Sequence, residues 1–233
     1  MGRKKQGGDM QPALSYDELI SGISYRFQSS DGEPANQVRM VGIVFARPNS
    51  PLAKAEIIPQ LNDWHFRSGQ HIDFFFAGYT YPHPIVSGYV PVAIPGREDW
   101  LYSSELFYKF QKQIERKSKI QYSGACDLLL TNARFDQTLD RAVLDFRSTI
   151  MCQLDSMKAE KAIPSVEQFF ESIFRFAEAS GGSDPTWGFS DAQGLRIAGS
   201  ALKQAVLSLL PKSVGEEAAK AKHFVVSSSG ASA

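Results

Sequence analysis

The stretch from Arg39 to Tyr79 decides the fold. It reads RMVGIVFA (39–46), RPNSP (47–51), LAKAEIIPQLNDWHFRSG (52–69) and, after Gln70, HIDFFFAGY (71–79). Two apolar runs flank a segment whose apolar residues Ile57, Leu61 and Trp64 recur at helical spacing. Ser50 suits a helix cap, Pro51 the first helical position, and Gly69 the end. Pro59 removes one internal hydrogen bond and predicts a kink or a split in that helix. Strand, helix and strand in this order form a βαβ crossover, which puts the chain in the α/β class. The turn after the first strand, Arg47-Pro48-Asn49-Ser50-Pro51, lies where open α/β sheets hold their ligands.

Working outward, residues 1–13 are polar and Gly-rich and read as a tail. A short helix follows, opened by a capping box of Ser15 and Glu18 and a staple of Leu14 and Leu19. SYRFQSS (24–30) reads as a strand that returns through Asp31-Gly32-Glu33-Pro34, giving an N-terminal hairpin on the sheet edge. Beyond Tyr79, residues 80–99 read as a long loop rich in proline, glycine and aromatics. The next helix, Ser104 to Lys117, sets Phe107, Phe110 and Ile114 on one face. ACDLLLTNA (125–133) and AVLDFRSTIMC (142–152) then read as antiparallel strands about a turn near Asp136 to Thr138, the second alternating with Leu144, Phe146, Ser148 and Ile150 on one side. A helix starts at Ser165, boxed by Gln168, with the stripe Val166, Phe169, Phe170, Ile173, Phe174 and Ala177, and stops at Gly181-Gly182. An extra C-terminal helix follows Ser190, and residues 212–233 read as a second tail. The expected organisation is one α/β domain over residues 14–211, a mixed sheet in a three-layer arrangement.

The order βαβ, helix, two strands, helix resembles the thioredoxin-like topology, βαβαββα. That family carries a redox Cys-x-x-Cys after the first strand of the βαβ unit; here the matching residues are Arg47-Pro48-Asn49-Ser50-Pro51, without cysteine. A cis-proline usually precedes the family's third strand; here the place reads Gln121-Tyr122-Ser123-Gly124-Ala125. The resemblance therefore implies the fold without the dithiol chemistry.

Composition bounds the function. The chain has 233 residues, 43% of them hydrophobic, enough for a core that needs no metal or disulfide staple. Lys plus Arg and Asp plus Glu both number 25, so nothing advertises a phosphate-neutralising nucleic-acid binder. Two cysteines, Cys126 and Cys152, fit a reducing, cytoplasmic setting. They read as buried thiols, or as a pair brought close if the two strands form a hairpin. No Walker A or Gly-x-Gly-x-x-Gly pattern supports a nucleotide, and neither a cofactor nor a metal is expected. His65, His71 and Asp73 lack the spacing of a metal set, and Asp73 reads as a structural acceptor. Four prolines (Pro82, Pro84, Pro91 and Pro95) break the longest uncharged stretch, so no membrane span is expected. The basic run from Lys109 to Lys119 reads as the solvated face of its helix.

Two groups of residues are candidates for a ligand site. Arg47, Asn49 and Ser50 stand at a helix N-terminus, where backbone N–H groups favour an anion; a plain helix start is the competing reading. Tyr79, Tyr81 and His83 follow the second strand and would neighbour that turn, or would simply pack over the sheet. The expected function is a redox-inactive module that binds a protein partner or itself. The alternative is an enzyme or sensor for a small anion at the C-terminal end of the βαβ strands.

Overall fold

The computed structural model describes residues 13–29, 38–68, 72–81, 88–94, 97–179 and 224–227. The crossover sets the centre. Strand β1 (Val38–Phe45) lies parallel to β2 (Ile72–Phe76), with Met40 opposite Ile72 and Val44 opposite Phe76. Strands β6 (Asp127–Asp136) and β7 (Arg141–Gln153) form the expected hairpin, and β6 runs antiparallel to β1 from Val38↔Arg134 to Phe45↔Asp127. Strand β8 (Phe224–Ser227), inside the stretch read as a tail, pairs with β7 and completes a five-stranded sheet of order β2-β1-β6-β7-β8. The fold is thus α/β with a mixed sheet.

Helices cover both faces because alternate strand residues are apolar on each side. On one face, Phe74 and Phe76 meet Phe170 and Trp64, which come from α5 (Val166–Ala179) and the crossover helix. On the other, Phe45 meets Phe107 and Phe110 of α3 (Ser104–Ser118), and Phe135 meets Phe27 of α1 (Tyr16–Ser29). The stripe predicted for α5 is buried at every one of its six positions. Its cap is formed as well, Ser165 Oγ accepting the Gln168 N–H at 3.0 Å. Pro59 splits the crossover helix as expected: a π-helical turn (Ala53–Ile57), a 3₁₀ turn (Ile58–Gln60) and then α2 (Leu61–Arg67).

Three local expectations change. Residues 24–29 of SYRFQSS are helical and not a strand, so the first arm of the expected N-terminal hairpin is absent; its turn, residues 31–34, lies outside the described residues. These residues continue α1 because Leu19, Ile23 and Phe27 recur every four residues and are all buried. Ser24 stays inside by donating to the Ile20 carbonyl at 2.6 Å and accepting the Ala142 N–H at 2.8 Å. The stretch 80–99 is not simply a loop. It contributes to a small antiparallel sheet of β3 (Tyr79–Thr80), β5 (Arg97–Tyr102) and β4 (Val90–Ile94), in that order. The proline-rich composition hid the alternation of Val92 and Ile94, buried, with Ala93, exposed. The alternation read over 144–150 also breaks. Between Leu130↔Ile150 and Asn132↔Asp145 the register shifts, and Thr131 Oγ1 fills the gap by donating to the Asp145 carbonyl at 2.9 Å. A short helix, α4 (Leu154–Ala159), was not anticipated. The predicted helix after Ser190 lies outside the described residues.

Candidate functional site

From Met40 through Ala46 the chain is buried, and it then turns at the C-terminal end of β1. The Ser50 N–H donates to the Arg47 carbonyl at 3.0 Å, closing the turn. Ser50 Oγ accepts the Ala53 N–H at 3.1 Å, so Ser50 caps the crossover helix as its sequence position predicted. The same hydroxyl lies 3.0 Å from Cys126 Sγ. That contact follows from register. Phe45 stands opposite Asp127, so the residue before β6 must meet the residues after β1. From the sequence, a hairpin brings Cys126 toward Cys152 and not toward Ser50. In the structure Cys152 stands opposite Leu128, and both thiols are free and buried. The signal that could have found the Ser50 contact was the antiparallel placement of β6 beside β1.

Several side chains hold the turn. Arg47 Nη1 donates to Tyr108 Oη at 3.1 Å and Nη2 to the Gly124 carbonyl at 2.9 Å. Tyr108 supports the positive charge and holds the Arg47 pKa above its ordinary value. Tyr79 is 1% exposed and donates its hydroxyl to the Ala46 carbonyl at 2.8 Å. Tyr122 donates to the Ala125 carbonyl. Asp155 Oδ2 accepts the Cys126 N–H at 2.6 Å. Burial drives the Cys126 thiol up to about 12, against the Ser50 hydrogen bond and with the Asp155 charge.

The predicted residues therefore divide. Arg47, Ser50 and Tyr79 converge on the turn, Tyr79 as a brace whose hydroxyl is already used. Asn49 is exposed at its tip. Tyr81 stacks on His65, with centroids 5.3 Å apart and planes 12° apart, and meets the edge of Trp100, whose indole N–H donates to Asn62 Oδ1 at 2.8 Å. It packs the small sheet onto the crossover helix. His83 and His71 lie outside the described residues. Asp73 accepts from Arg39 Nε at 2.7 Å, with Arg26 at 3.8 Å, which is the structural role its position predicted. Among the described residues no group of three His, Cys, Asp or Glu could hold a metal, and no helix is long and apolar enough to cross a membrane.

Asp127, below Cys126, is a buried carboxyl held by the Ser123 N–H at 2.7 Å and the Ser123 hydroxyl at 2.8 Å. Desolvation raises its pKa from 3.8 to about 6; the Ser123 bonds oppose this and the Asp155 charge adds to it. A folded pKa above the unfolded one means that the native state binds the proton more tightly. Stability from this group is therefore greatest below about pH 4, falls as pH rises through 6, and then levels off. The expected loss is about 3 kcal/mol, at roughly 1.4 kcal/mol per pH unit. Urea unfolding of wild type and Asp127→Asn between pH 4 and 7 measures it. The difference between the two should shift by that amount toward the variant, and a constant difference contradicts the assignment.

Compared with known proteins, the chain matches no family model, no curated protein and no solved structure.

Proposed function

We propose that the chain is a redox-inactive α/β module of thioredoxin-like element order, working in the cytoplasm by holding a protein partner. The observation that carries this reading is the Ser50–Cys126 contact. The corner where a dithiol would act has one thiol, fully buried, bonded to a hydroxyl and raised to about 12. The element order is supported by β1, the crossover helix, β2, α3, β6, β7 and α5, with β3–β5 and α4 as additions. A reducing compartment is supported by two free, buried cysteines. Phe66 of α2, 53% exposed, and Val90 of β4, 56% exposed, are exposed apolar side chains that such a partner would cover.

At pH 8 a thiol titrating near 12 is ionised in about one molecule in ten thousand. The native protein should therefore leave both thiols unmodified over minutes with an aromatic disulfide reagent, release two equivalents after denaturation, and reduce no insulin. Fast native reaction of one thiol, or insulin reduction, overturns the redox-inactive reading. Sedimentation equilibrium, with mass spectrometry of whatever stays bound through purification, tests the partner. A strictly monomeric protein carrying nothing removes that half of the proposal.

A further inference from the structure

Two buried polar atoms border the turn after β1 without hydrogen-bond partners: Arg47 Nε and Tyr102 Oη. The two terminal nitrogens of Arg47 are already committed to Tyr108 and Gly124, which fixes the guanidinium; the Tyr122 hydroxyl lies beside it, but no well-formed hydrogen bond reaches Nε–H. Tyr102 is 4% exposed, its ring packed against Tyr79 at 5.0 Å and Phe107 at 6.0 Å. Tyr79 in turn holds the Ala46 carbonyl, directly before Arg47. Ser104 sits beside the Tyr102 hydroxyl, but no well-formed hydrogen bond closes between them. Burial raises the Tyr102 pKa to about 12 while the Arg47 charge lowers it, so the phenol keeps its proton within the field of the guanidinium.

The corner thus holds two idle donors and one positive charge. An unpaired buried donor costs its desolvation, so the pair calls for an acceptor. Arg47 is half-buried, Asn49 is exposed and Tyr108 is 44% exposed, so the guanidinium lies just beneath the surface of the turn. One charge with two donors matches a carboxylate, a planar monoanion that takes one hydrogen bond on each oxygen. A phosphate would bring a second charge and more lone pairs than these donors serve.

We propose that Arg47 and Tyr102 hold a carboxylate at the turn after β1, carried either by a small free acid or by an acidic residue of a partner. The chemistry is the same for both sources. The inference does not rest on the partner-binding reading: the thiol and sedimentation results stand whatever this site binds.

The Nε–H signal of Arg47 in ¹⁵N-labelled protein reports on the site directly. Acetate, N-acetyl-aspartate amide and inorganic phosphate are titrated at constant ionic strength against chloride. The expected result is a saturable shift with the two carboxylates and weaker binding of phosphate. Tighter binding of the aspartate amide assigns the carboxylate to a partner, and equal or tighter binding of acetate assigns it to a free acid. Tyr102→Phe, which keeps the ring, should weaken acetate binding at least about fivefold, as loss of one hydrogen bond does. Arg47→Lys, read from the Asn49 amide, should weaken it by at least as much and decides the matter if the phenylalanine variant does not fold. No saturating shift, tighter phosphate binding, or undiminished affinity in the variants overturns the proposal.

Discussion

Replacing Trp64 with alanine should lower the unfolding free energy by about 4 kcal/mol, the largest single-residue loss expected among the described residues. Trp64 is 1% exposed, and its ring lies flat on Phe76, with centroids 5.8 Å and planes 5° apart. Phe170 of α5 closes the other side at 4.7 Å. One side chain therefore joins the sheet, the crossover helix and α5, and its removal leaves a cavity that three elements cannot fill together. Urea unfolding checks this, with an unchanged dependence on denaturant. Phe66, two positions along the same helix and 53% exposed, is the internal control: Phe66→Ala should stay within about 0.5 kcal/mol. A loss below about 1 kcal/mol for Trp64→Ala would falsify its role as the joint.

Gly78→Ala should cost about 3 kcal/mol from two separate causes. Its backbone has φ of 78°, which residues other than glycine rarely adopt. A Cβ there would also lie 2.8 Å from Phe107 Cβ and 2.9 Å from the Ser103 carbonyl oxygen. The backbone cannot retreat. The Gly78 N–H donates to the Ala13 carbonyl at 3.1 Å, and its carbonyl accepts the Ser103 N–H at 2.9 Å. Gly88 separates the causes, since it has φ of 100° but nothing within 4 Å of the corresponding Cβ. Gly88→Ala should cost about 1 kcal/mol, from the backbone alone. Equal losses at the two glycines would show that crowding at Gly78 is relieved at no cost.

The parts of the fold that were legible in sequence are those whose signal is local. The crossover could be read because Ser50, Pro51 and Pro59 each act on their own helix. Helix α5 could be read because its stripe and its cap agree. The misreadings arose where composition competes with periodicity. The residues Ser24 to Ser30 have strand-forming neighbours, yet the four-residue recurrence of Leu19, Ile23 and Phe27 prevails once that face is buried. Prolines masked the strands β4 and β5, which draw their stability from pairing with each other. The site was half legible for the same reason. Arg47 and Ser50 stand at a turn that sequence marks, whereas Cys126, Tyr102, Tyr108 and Tyr122 reach it only through strand register and helix packing.

The small sheet has a further consequence for how the chain assembles. Tyr79 stands directly opposite Tyr102, so the segment departs from the end of β2 and returns beside it at the start of α3. Closing a loop costs entropy that grows with its length, but a segment that zips itself shut presents the rest of the chain with almost no loop at all. Once β3 and β5 pair, α3 is delivered next to the end of β2. The search for the β1–β6 register then runs over a chain that is effectively shorter by the whole insertion, and folding should slow when that zip is cut.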